Sequence, residues 1–270
     1  IRRQRQMCIR DSLSTASSQA RVQFVGAGPG DPNLLTLGAV DAINRAQVIV
    51  ISCAEHRMLL GSDFLELRPD VRIVLAGDAD EEAVALPSQP GGAPTPVDVD
   101  EHCTDLIATV IEAASQGLEV VRLVSGDPFL DGDIGAEAAA VARADHDVDV
   151  IPGVTGMTAV PEYAGLILHG HDVQLIGDAA CQRDIAGHGP DWSDQGLIVV
   201  HTSAGKLKEV VKHAVASGRS EDEPAALICH GATTQQITHT VTLGALPQTA
   251  KTARLDSAEP VHVAIGKVVE

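Results

Sequence analysis

Hydrophobic positions along the chain follow two periods. Short continuous apolar runs occur in RVQFVG (21–26), QVIVIS (47–52), DVRIVLA (70–76), VVRLV (120–124) and VDVI (148–151). Runs of that length, rich in Val and Ile, read as strands buried on both faces, as in a parallel sheet. Between them, apolar residues recur at helical spacing. NLLTLGAVDAINRA (33–46) places Leu34, Leu37, Ala39 or Val40, and Ile43 on one face. DVDEHCTDLIATVIEAASQG (98–117) reads as a helix stopped by Gly117, and residues 132–144 form an Ala-rich third helix. Strand, glycine loop, helix and strand make a βαβ unit. The pattern predicts an N-terminal α/β domain over 21–152, a parallel sheet with helices on both sides.

Past about residue 165 the texture changes. DVQLIGDA, GLIVVHTS, AALICHGAT and PVHVAIGK are four strand candidates, and KLKEVVKHAVASG (206–218) is a helix with a glycine stop. This predicts a second α/β domain over 165–270 with a mixed sheet, and a cleft between the two domains. PSQPGGAPTPVD (87–98) reads as a surface loop. Residues 1–20 are polar and aperiodic; IRRQRQMCIRDS looks like translated adapter sequence, so a disordered or non-native leader is expected there.

Composition narrows the function. With 44% hydrophobic but 2% aromatic residues, the core must be packed by Ala, Val, Leu and Ile. A formal charge of −18 disfavours nucleic acid and anionic membranes as partners. No apolar run approaches the roughly 20 residues of a membrane span. Five scattered cysteines without a CxxC pair suit free thiols and a cytoplasmic location. No metal site is expected: His169 and His171 form a pair without a third ligand at recognisable spacing. His201 and His230 end strands, where a satisfied histidine and a ligand contact are both open readings. The acidic runs Asp80–Glu82 and Glu221–Glu223 read as solvated faces.

The chemistry lies in the loops that end strands. In VRLVSGDPFLDGD (121–133) the apolar run stops at Ser125-Gly126-Asp127-Pro128. Gly126 bares the main chain where a carboxylate emerges, and Pro128 fixes the next φ and removes a donor. Such a loop lets a ligand press against backbone, with Asp127 read as a ligand contact and, as the alternative, a cap of the helix after it. GAGPGD (26–31) is a poor dinucleotide fingerprint. Asp31 stands where the third glycine belongs, and Pro29 interrupts the helix start that would hold a pyrophosphate.

Taken in order, VGAGPGDPNLLT, VVRLVSGDPFLDG, VIPGVTGMTAVPEYAG, ICHGATTQQ and PVHVAIGKVV resemble the tetrapyrrole methylases, over about residues 21–269. PEYAGLIL is similar to the PAYAGIPL of the uroporphyrinogen-III C-methyltransferases. HGATTQQ and the 87–98 loop resemble the actinobacterial form fused to uroporphyrinogen-III synthase. The resemblance implies S-adenosylmethionine as methyl donor, S-adenosyl-L-homocysteine as product, and C-methylation of uroporphyrinogen III toward precorrin-2. It implies a homodimer, with a synthase domain as a possible fusion partner. It implies donor contacts at Pro29, Ser125, Gly126, Asp127, Leu130, Thr155, Gly156, Thr202, Gly231 and Ala232, and places Gly28, Asp31, Arg57 and Arg122 toward the tetrapyrrole.

Two positions depart from the family pattern. Ser52 stands where the family carries the aspartate proposed as base, and Asp78 where it carries a lysine. Glu55 and His56 are the substitute candidates for proton acceptor. A basic cleft for eight carboxylates has only scattered cations to draw on, such as Arg57, Arg122 and Arg183. Two other readings therefore stand beside the enzyme: a methylase-like binding module without turnover, and a methylase acting on another precorrin.

Overall fold

The structure is a computed structural model that describes residues 21–53, 55–76, 101–103 (by backbone), 105–132, 134–177, 192 and 196–269. The expected leader over 1–20, the acidic run Asp80–Glu82, the loop at 87–98, Asp78 and Arg183 lie outside the described residues.

The first sheet is built from β1 (Arg21–Gly26), β2 (Val48–Ile51), β3 (Arg72–Ala76), β4 (Glu101–Cys103), β5 (Val120–Val124) and β6 (Asp147–Ile151). Its order is β4-β3-β2-β5-β1-β6 and every neighbouring pair is parallel. The apolar runs explain themselves in its two faces. Val25, Ile49, Ile51 and Leu123 pack beneath Ala39, Ala42 and Ile43 of α1 (Leu37–Arg45). The alternating residues Val22, Phe24, Val48 and Val50 point the other way, against Val110 and Ala113 of α3 (Leu106–Ser115) and Val141 of α4 (Gly135–Arg143). A short helix α2 (Glu55–Leu60) follows β2. Parallel strands present their carboxyl ends on one edge, so the loops after β1, β2, β5 and β6 gather there.

Two helix starts differ from the periodic reading. Asp31 caps a 3-10 turn at Pro32–Leu34, and α1 begins only after Thr36, whose Oγ1 accepts from Ala39 N at 3.2 Å. The expected helix at 98–117 begins at Leu106, capped by Asp105, because the chain first adds the edge strand β4.

The second sheet contains β7 (Val173–Ile176), β8 (Leu197–Ser203), β9 (Pro224–Cys229), β10 (Ile237–Thr242) and β11 (Pro260–Ile265), in the order β10-β9-β11-β8-β7. Only β7 and β8 are parallel, so the sheet is mixed. One face packs on α6 (Leu207–Ala216) and α7 (Leu246–Thr252), with Trp192 buried among them. The other packs on Met157 and Val160 of α5 (Gly156–Tyr163), the helix that follows β6. β10 was not foreseen: as an edge strand it is mostly exposed, and ITHTVT lacks the apolar run of its neighbours.

Thr36 ties the start of α1 to the β6 loop, since its Oγ1 also lies 3.4 Å from Pro152 O. Thr36→Ala is expected to cost about 1 kcal/mol of stability, the usual worth of an N-cap, measured by urea unfolding.

Candidate functional site

At the carboxyl edge of the first sheet, main chain touches main chain. Gly28 and Gly126 exchange two backbone hydrogen bonds, Gly28 N to Gly126 O at 3.2 Å and Gly126 N to Gly28 O at 2.7 Å. Both adopt positive φ, +71° and +64°, which suits glycine. The β6 loop closes over them: a Cβ on Gly153 would lie 2.1 Å from Gly126 O. The loops after β1, β5 and β6 therefore stack with no side chain between them.

Two carboxylates fasten this stack. Asp127 accepts from Phe129 N (3.0 Å) and Leu130 N (3.2 Å) through Oδ1, and from Gly153 N (3.2 Å) through Oδ2. Its oxygens are taken up by backbone, so of the two readings the cap is the one the contacts support. Asp131 was not singled out in the sequence. It accepts from Asp127 N at 2.7 Å and from Thr155 Oγ1 at 2.8 Å, and a Cβ on Gly126 would collide with it. Burial pushes its carboxyl up from the ordinary range, against the opposing pull of those hydrogen bonds and of His201. A carboxylate that matters only after the loop folds back on itself leaves no spacing signal.

The second sheet brings its own loop to the same place. After β9 the chain turns through His230 and Ala232, both at positive φ (49° and 53°), and Ala232 N donates to Gln236 Oε1 at 2.7 Å. Gly231 sits so close to α5 that a Cβ would come within 2.5 Å of Val160. Gly30, two residues past the Gly28 bridge, faces it: a Cβ there would stand 3.2 Å from Thr233 Cγ2 and 3.6 Å from the carbonyl oxygens of Gly231 and Ala232. Pro29 packs toward Gly156, the first residue of α5, whose Cβ would also lie 3.1 Å from His262 Nε2. His262 stacks on His201 across β11 and β8, with ring centroids 4.5 Å apart. Thr202, next to His201, is buried. Thus the loops carrying Pro29, Gly126, Thr155, Gly156, Gly231 and Ala232 meet at one edge of the first sheet, while Thr202 is buried in β8 and Ser125 and Leu130 are exposed.

The residues expected to face the tetrapyrrole are divided. Gly28 is in the loop bridge. Asp31 caps its own turn through Asn33 N at 2.8 Å and accepts from Tyr163 Oη at 3.3 Å. Arg57 is half-buried on α2. Arg122 corrects the expectation: it is buried inside β5, its Nε is 3.1 Å from Glu137 on α4, and its Nη1 donates to Ser52 Oγ at 3.3 Å. A guanidinium already paired under the sheet tip is a structural cation. Ser52 thereby serves as its acceptor.

The two candidate proton acceptors also part. Glu55 is exposed in the first turn of α2. His56 is buried, and its imidazole is driven down to about 3 by burial and by the Arg122 cation. At neutral pH it is an uncharged ring that does not take up a proton. His262 is likewise driven down to about 3 by burial and by His201. Cys53, beside Ser125, is pushed up to about 12 by burial and by Glu55, so its thiol stays protonated.

The profile of the family described as Tetrapyrrole (Corrin/Porphyrin) Methylases matches residues 21–247. The chain is 32% identical over 262 residues to the uroporphyrinogen-III C-methyltransferase of Sinorhizobium sp, covering 94% of this chain and 85% of that protein. It is 32% identical over 261 residues to siroheme synthase 1 of Serratia proteamaculans (strain 568), covering 94% of this chain and 49% of that one; the chain spans about half the length of the siroheme synthases it matches. The fold is shared with the cobalt precorrin-4 methyltransferase CbiF (TM-score 0.68, 20% identity, 93% and 96% of the two chains). It is shared also with uroporphyrin-III C-methyl transferase from Thermus thermophilus complexed with S-adenyl homocysteine (TM-score 0.64, 24% identity, 93% and 94%).

The buried neutral histidines give the fold a pH limit. An unfolded histidine protonates near its ordinary value of 6.5, whereas folded His56 does so only near 3. Its contribution is therefore complete above about pH 6.5 and is lost as pH falls toward 3. At about pH 5 the loss from His56 alone should be about 2 kcal/mol. Urea unfolding at pH 7 and at pH 5 should show wild type losing that much more than His56→Gln.

Proposed function

The chain belongs to the tetrapyrrole (corrin/porphyrin) methylases, and from that premise we propose that it is an S-adenosylmethionine-dependent C-methyltransferase acting on uroporphyrinogen III, toward precorrin-2. The single observation that carries the reading is the meeting of the Gly28–Gly30, Gly126 and Gly231–Ala232 loops at one edge of the first sheet. A sulfonium nucleoside needs carbonyls and N–H groups at close approach, and three glycine-bared loops offer them. Pro29, Ser125, Gly126, Leu130, Thr155, Gly156, Thr202, Gly231 and Ala232 would hold it, with Asp131 fixing Thr155 and the Asp127 amide from behind. Asp127 supports this cradle through backbone.

When bound, the donor supplies an electrophilic methyl carbon. The chain's part is to align an electron-rich pyrrole carbon with it and to exclude water, a task of positioning that requires no covalent nucleophile. Glu55 is the proton acceptor in this reading, because His56 is buried and would have to charge beside Arg122. Arg57 and Arg183 serve the substrate carboxylates. The working protein is a cytoplasmic homodimer in this reading, and a fused synthase is a compatible partner.

A second reading, a donor-binding module without turnover, is favoured by one feature: Ser52, in the place of the family's carboxylate, is occupied as acceptor for Arg122. One experiment separates the two. The protein is given S-adenosylmethionine and uroporphyrinogen III anaerobically, and absorbance is followed for dipyrrocorphin formation. Turnover is expected for wild type, with loss of at least tenfold in Glu55→Gln, at the low end of what a proton acceptor contributes. Calorimetric binding of S-adenosylhomocysteine with no turnover on this or any other precorrin identifies the module. Absence of binding removes both.

A further inference from the structure

Ser125 is exposed at the tip of β5, but what grips its hydroxyl is not. His56, only 4% exposed, places Nε2 3.1 Å from Ser125 Oγ. Cys53 Sγ approaches the same oxygen at 3.8 Å. The second ring nitrogen of His56, Nδ1, is buried without a hydrogen-bond partner.

That orphan nitrogen decides the tautomer. A neutral imidazole has one N–H and one bare lone pair. If Nε2 were the bare nitrogen, the N–H would sit at Nδ1, buried and unmade. Buried donors are left unpaired more rarely than buried acceptors, and each costs its full desolvation. With the proton on Nε2, the N–H meets Ser125 Oγ and only a lone pair at Nδ1 goes unused. Cys53 Sγ is a second neighbour of the serine oxygen at 3.8 Å, and either atom of that pair can donate. With Nε2–H on one lone pair, the Ser125 O–H is not drawn to His56 and is available on the exposed side.

We propose that His56 is a positioning residue: it donates its Nε2–H to Ser125 Oγ and so turns the Ser125 hydroxyl proton into the cleft, toward an oxygen acceptor of the bound ligand, a carboxylate or a hydroxyl. The tautomer half stands on the buried geometry alone, and the ligand half rests on the donor-site reading above. Under it, Ser125 contributes a directed side-chain donor to a site built largely of glycine loops. His56 never touches the ligand and never changes charge at working pH.

Two measurements on the full chain test this. With histidine labelled by nitrogen-15, long-range proton–nitrogen correlation reads each ring nitrogen directly. Nε2 should be protonated and Nδ1 bare, unchanged from about pH 5 to 8, the window in which ordinary histidines titrate. A proton on Nδ1, or titration within that window, overturns the proposal. Calorimetry with S-adenosylhomocysteine reads the consequence. Ser125→Ala should weaken binding about tenfold, or about 1.4 kcal/mol. His56→Gln, whose amide N–H reaches the same oxygen, should stay within about twofold of wild type. His56→Phe should weaken binding as Ser125→Ala does, and the double variant no further, because both remove one interaction. Additive losses, or full affinity in Ser125→Ala, overturn it. Should wild type not bind S-adenosylhomocysteine at all, the donor-site reading and the ligand half fall together, while the nitrogen spectrum still judges the His56–Ser125 half.

Discussion

Backbone against backbone at the carboxyl edge of the parallel sheet is the constraint from which the site follows. Gly28 and Gly126 pair as if they were a short antiparallel ladder, and Gly153 lies on top of them without a Cβ. Any side chain in that layer would separate β1, β5 and β6 at their tips, or push the loops outward. Because the layer is bare, the loops stay at main-chain distance, and Asp127 and Asp131 bolt them together through amides and the Thr155 hydroxyl. The rigidity of the loop cluster thus comes from the absence of side chains inside the loop stack and from carboxylates behind it.

The two sheets meet through the same economy of volume. α5 leaves the β6 loop, carries Thr155 as its cap, and then buries Met157 and Val160 in the second sheet. Gly231 and Gly156 allow the β9 loop and the His262 ring to close on that helix. One helix therefore fixes both the height of Thr155 over Asp131 and the approach of the Gly231–Ala232 loop to Gly30.

Much of this was legible because β1, β3, β5 and β6 are largely apolar runs followed within two residues by glycine or proline, a local signal that needs no tertiary knowledge. The order of loops was legible for the same reason. What escaped depends on contacts remote in sequence. Arg122 reads as a candidate cation, but its position inside VVRLV puts it under the sheet, where Glu137 from α4 neutralises it. Asp131 lies in a loop full of carboxylates, and only the folded loop tells it from Asp127. β10 lacks an apolar run because an edge strand faces water on both sides of its ladder. His56 looked like a base by residue type, and burial next to Arg122 makes it the opposite.

The connectivity of the first sheet has a consequence for how the protein comes into being. β1, near the start of the folded chain, is hydrogen-bonded to β5 and β6, and Gly30 just beyond it touches the loop after β9. Contacts so distant in sequence form late, since the intervening chain must be closed into a loop first. The loop cluster is therefore incomplete on a nascent chain: the earliest glycines wait for the last third of the polypeptide.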